Sequence, residues 1–78
     1  MPKYLDSHQM GNATEEQIRQ AQSAPIGQDG VRALNILYNK DENKLFCLTE
    51  APNKEAVDRH HQELGMKCDW ITEVKTTA

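Results

Sequence analysis

Val31-Arg32-Ala33-Leu34-Asn35-Ile36-Leu37-Tyr38-Asn39-Lys40-Asp41-Glu42-Asn43-Lys44-Leu45-Phe46-Cys47-Leu48-Thr49-Glu50 reads as two strands joined by a polar turn. From Val31 to Asn39 the residues alternate, with Leu34, Ile36 and Tyr38 on one face and Val31, Ala33 and Leu37 on the other. The charged and amide-rich run Asn39–Lys44 has no apolar residue and suits a hairpin loop. Leu45–Glu50 is apolar enough for a strand in the middle of a sheet.

Working outward, Lys3-Tyr4-Leu5-Asp6-Ser7-His8 is a short mixed strand that Gly11 interrupts. Thr14-Glu15-Glu16-Gln17 is a capping box flanked by Ala13 and Ile18 at the staple positions, so a helix should run from Thr14 to about Ala24. Pro25, Gly27 and Gly30 end it. After the hairpin, Asn53 is an N-cap, Glu55 lies near the positive helix end and Gly65 is a natural terminator. Asp69–Val74 alternates as a last strand. The order strand, helix, strand, strand, helix, strand is the split βαβ pattern of the ferredoxin-like fold. An α+β domain is therefore expected over residues 1–78, with a four-stranded antiparallel sheet in the order 4-1-3-2 and both helices on one face.

Only 14 of the 78 residues are Leu, Ile, Val or Phe, so the core must be thin. The net charge of −3 is too small to argue for disorder. A chain of this size buries only ~60% of its unfolded surface. The sheet face without helices is then most simply covered by a second copy, which predicts a homodimer. No apolar run is long enough to span a bilayer and no secretion signal follows Met1. With 9 basic residues against 12 acidic ones and no basic cluster, nucleic acid is not an expected partner. Cys47 and Cys68 fit no metal-finger spacing, and the reading is two reduced thiols in the cytoplasm.

Strand alternation gathers the chemistry. If Leu5, Phe46 and Leu48 face the helices, then Asp6, His8 and Cys47 share the open face. His60, His61, Cys68 and Asp69 fall near the same end of the sheet, with the histidines on the helix side. Asp, His and Cys together suit a borderline transition metal such as Ni²⁺, Zn²⁺ or Cu²⁺ and not Ca²⁺. Such a set loses affinity below about pH 6, as imidazole with a pKa of ~6.5 protonates.

Each residue also has a plainer reading. Cys47 is a small buried hydrophobe, His8 ends a strand in solvent, and one of the two helix histidines is solvated. Glu50, opposite in face to Cys47, interacts with the following helix N-terminus, and Tyr4 and Trp70 are core or interface aromatics. Asp6 resists such an account, because a carboxylate in a central strand needs a partner. Other functional readings are a small dimeric enzyme with Asp6 or His8 as acid–base residue in a sheet-face pocket, an N-terminal Pro2 base, and a plain interaction module.

Met1–His8, Phe46–Pro52 followed by Glu55-Ala56-Val57 and His61, then Gly65 and Glu73-Val74, resemble a family of small bacterial ferredoxin-like proteins. The family is known mostly as a domain of unknown function and includes a nickel-binding homodimer. The resemblance spans nearly the whole chain, is strongest in the central stretch, and weakens between Ala21 and Asn43. It implies Asp6, His8, Cys47, Glu50 and His61 as the recurring polar positions and candidate metal ligands, with Ni²⁺ as the metal. His60 has no such support. Met66 stands where the nickel-binding member has another His, which implies one weaker or missing site here.

Overall fold

The computed structural model describes residues 1–78 and contains six elements: β1 (Lys3–Gln9), α1 (Glu15–Ser23), β2 (Arg32–Asn39), β3 (Lys44–Glu50), α2 (Lys54–Glu63) and β4 (Trp70–Val74). The strands form one antiparallel sheet in the order β2-β3-β1-β4, the ferredoxin-like arrangement read in the other direction.

Local chemistry starts and stops the helices where the sequence places them. Thr14 Oγ1 accepts the Gln17 N–H at 3.2 Å while Gln17 Oε1 accepts the Thr14 N–H at 3.0 Å, closing the capping box. Asn53 Oδ1 accepts the Ala56 N–H at 2.8 Å at the start of α2. At its end Gly65 has φ 74°, the Met66 N–H donates to the His61 carbonyl at 2.9 Å, and the Gly65 N–H donates to the Gln62 carbonyl at 3.0 Å. This is a Schellman closure, and it fixes the last turn of α2 around His61.

Two expectations about faces are corrected. The alternation of β2 breaks at a bulge between Ala33 and Asn35, where the Gln22 side-chain amide of α1 bonds both the Ala33 and Leu34 carbonyls at 3.2 Å. Ala33 and Ile36 consequently lie opposite Thr49 and Cys47 on the same face. The larger correction concerns Asp6, His8 and Cys47, which share a face as expected but lie beneath the helices. Tyr4 of that face packs with Ala56 and Val57 of α2, and Leu45 packs with Ile18 of α1. Leu5, Phe46 and Leu48 are only half-buried and occupy the uncovered face. Both faces of β1 and β3 carry large apolar residues, so alternation pairs the right residues without saying which face the helices take.

The core under the helices is divided. One apolar cluster is Tyr4, Val31, Ala51, Ala56 and Val57; the other is Met10, Ile18 and Leu45, with Ala13, Ile36 and Met66 beside it. Between them β1, β3 and α2 each change from apolar to polar and back. Tyr4 and Met10 bracket Asp6 and His8, Leu45 and Ala51 bracket Cys47, and Val57 and Met66 bracket His61.

Candidate metal centre

The polar insert occupies the middle of the core. Asp6 is 0% exposed, His8 1%, His61 3% and Cys47 8%. The β1–β3 register sets Asp6 directly across from Cys47 and His8 across from Leu45, while α2 lowers His61 onto them. One donor atom from each of the four residues can be chosen so that all lie within 4.8 Å of one another. His8 Nε2 is 3.2 Å from Asp6 Oδ1 and 3.4 Å from Cys47 Sγ, and His61 Nε2 is 3.5 Å from the same Asp6 oxygen. Donor atoms bound at ~2.0–2.3 Å around one ion stand roughly 3–3.5 Å apart, so these three separations match a shared cation, with the whole set somewhat more open at up to 4.8 Å.

Hydrogen bonding supports the same fit. Neither oxygen of the Asp6 carboxylate has a hydrogen-bond partner, and His8 Nδ1 has none. Leaving a buried ionised carboxylate in that state is costly. His61 Nδ1 lies 2.9 Å from the Val57 carbonyl, which can only accept, so Nδ1 carries a proton. In a neutral ring the Nε2 lone pair then points at the lone pairs of Asp6 Oδ1, an arrangement that a proton or metal ion between them relieves. Anchoring one ring nitrogen on a carbonyl is also how metal-bound histidines are oriented. His8 has no such anchor.

The thiols respond to the same surroundings. Burial, then the Asp6 carboxylate, pushes the Cys47 thiol far above its ordinary range, so without metal it is neutral. Burial likewise leads for Cys68, which with nearby Asp6, Asp58 and Asp69 is pushed up to about 12. A bound divalent cation would displace the Cys47 proton and make it a thiolate ligand.

Among the residues named from the sequence, Asp6, His8, Cys47 and His61 come together. Glu50 does not. It pairs with Lys3 at the opposite end of β1 from His8, and alternation turns it to the face away from Cys47. Asp6 and His8 are absent from the open sheet face, so a pocket there lacks its expected acid–base residues. Cys68 and Asp69 do lie near the cluster: the Asp69 N–H donates to the Ser7 carbonyl at 2.7 Å. A groove of about 960 Å³ reaches the centre from outside, with Cys47 and His61 on its lining beside Met10, Ile18 and Leu64.

His60 is not simply solvated. Its Nδ1 is 2.6 Å from Asp29 Oδ2, while Asp29 Oδ1 accepts the Val31 N–H at 3.0 Å. No sequence signal links Asp29 to His60, because the pairing depends on how the α1–β2 loop meets α2. The Val31 N–H first, then the His60 ring, holds the Asp29 carboxyl below its ordinary value of 3.8. A lowered native value stabilises the fold fully above the unfolded value and less as pH falls through the native one. Urea denaturation should therefore show wild-type stability falling more steeply below about pH 4 than that of Asp29→Asn.

With this geometry in view, the chain matches the family described as "Nickel responsive protein SCO4226-like" over residues 4–74. The chain belongs to this family. A solved structure, the crystal structure of SCO4226 from Streptomyces coelicolor A3(2), is similar at a TM-score of 0.78 and 31% sequence identity. The alignment covers 97% of this chain and 99% of that one. No curated protein matches the chain. The ferredoxin-like frame is shared with the SCO4226 structure, and the buried Asp6–His8–Cys47–His61 group is the feature of this chain that fits a metal ion.

Proposed function

We propose that this protein binds a first-row divalent transition metal, preferentially Ni²⁺, through Asp6, His8, Cys47 and His61, as a cytoplasmic device for sequestration or sensing. The observation that carries the reading is a carboxylate without hydrogen-bond partners, sealed among two imidazoles and a thiol in the middle of the core. The family's nickel-responsive description supports the choice of metal. Two imidazoles, one hard carboxylate and one soft sulfur suit Ni²⁺, Cu²⁺ or Zn²⁺, with Cu²⁺ the strongest competitor on intrinsic affinity. Unpaired Cys47 and Cys68 agree with a reducing compartment.

Calorimetric titration of untagged protein with Ni²⁺, Zn²⁺ and Cu²⁺ should give saturable binding. His61→Ala should weaken it by at least the ~10–100-fold that outer partners of metal ligands contribute. Unchanged nickel affinity in His61→Ala and in an Asp6→Ala, His8→Ala double variant would reject the site.

The proposal includes a homodimer through the open sheet face. Leu5, Phe46 and Leu48 are half-buried there, Leu37 is 49% exposed and Trp70 45%, with the Phe46 and Trp70 rings 6.5 Å apart. A contiguous apolar surface on a chain with so small a core favours self-association.

A further inference from the structure

We propose that His60, oriented by Asp29, is an uptake ligand that captures a divalent metal ion at the groove and passes it to His61. This rests on the metal-binding reading above and adds a route to it. The four proposed ligands are almost fully enclosed, and of these only Cys47 and His61 line the groove. An ion must therefore exchange its hydration water for protein donors before it reaches Asp6 and His8.

His60 stands where that exchange begins. It follows Arg59 and precedes His61 on α2, is 33% exposed, and lines both the groove and a shallower cleft with Gln28 and Glu63. Its ring meets that of His61 edge-on, with centroids 5.6 Å apart. The Asp29 carboxylate accepts a hydrogen bond from His60 Nδ1–H, so Nε2 is the ring nitrogen open to a cation. Asp29 is held in turn by the Val31 N–H. A carboxylate–imidazole arrangement of this kind is the usual support of a metal-bound histidine, yet His60 lies outside the buried donor cluster. A half-exposed ligand beside a buried one supplies the intermediate step.

The test is the rate of Ni²⁺ uptake by the full chain, followed by stopped-flow absorbance of the nickel–thiolate band, with release into excess chelator and Kd by calorimetry. A residue that holds the ion only in transit lowers the barrier equally in both directions. His60→Gln should therefore slow uptake and release together by about tenfold with Kd unchanged. Asp29→Asn retains an acceptor for the Val31 N–H but loses the carboxylate, and should slow both rates to a smaller extent. Wild-type uptake rates in both variants, with only thermal stability reduced, would make the pair structural and overturn the proposal. A weaker Kd at an unchanged uptake rate would make His60 a resident ligand, which also overturns it. Wild-type protein that binds no nickel would reject the metal-binding reading itself, and this route with it.

Discussion

Asp6→Asn should make the metal-free protein more stable and at the same time remove most of the stabilisation that nickel provides. Asp6 is fully buried, and its carboxylate oxygens have no hydrogen-bond partner. A buried unsatisfied group costs about 1–3 kcal/mol, and more when charged. The amide keeps the shape and removes the charge. Deleting one member of a buried ion pair is usually harmful because it strands the other. Here the neighbours are imidazoles, whose unprotonated ring nitrogen can accept a hydrogen bond from the new amide. A gain of about 1–3 kcal/mol is expected, each kcal/mol raising Tm by about 4–8 °C in a domain of this size. Excess Ni²⁺ at a hundred times Kd should add about 2.7 kcal/mol to the wild type and far less to the variant. Calorimetric melting with and without Ni²⁺ reads both effects. A less stable metal-free variant with an undiminished nickel shift would mean that Asp6 serves the fold and not a metal.

Phe46→Glu should convert the proposed dimer into a monomer of 8.9 kDa and sharply lower its melting temperature. Phe46 is on central strand β3, opposite Ser7 of β1 and Leu37 of β2, at the middle of the open face. A charge there must be desolvated for two sheets to meet. Because so small a core leaves little net stability in one chain, loss of the partner should be felt as loss of the fold. Wild-type Tm should rise with protein concentration, and that of the variant should not. Light scattering with size exclusion measures the mass directly. Wild-type protein eluting at the mass of one chain would end the dimer proposal.

The elements and their order were legible because local rules govern them. Thr14 with Gln17, Asn53, and Gly65 mark helix ends whatever the rest of the chain does. The pairing of Asp6 with Cys47 was legible too, since strand alternation and a common sheet topology are enough to bring them opposite each other. The covered face was not. Leu5, Phe46 and Leu48 are as apolar as Tyr4, Leu45 and Ile36, and nothing local to a strand says which set meets the helices.

The amino-acid sequence by itself determined six elements, their antiparallel order and the sharing of one sheet face by Asp6, His8 and Cys47. Only the tertiary structure decided that α2 lands on the face bearing Asp6, which turns a surface group into a buried one and adds His61 to it. It also joined Asp29 to His60, 31 residues away. The reason is physical: caps and alternation act over a few neighbouring residues, whereas desolvation of a carboxylate depends on everything that closes over it.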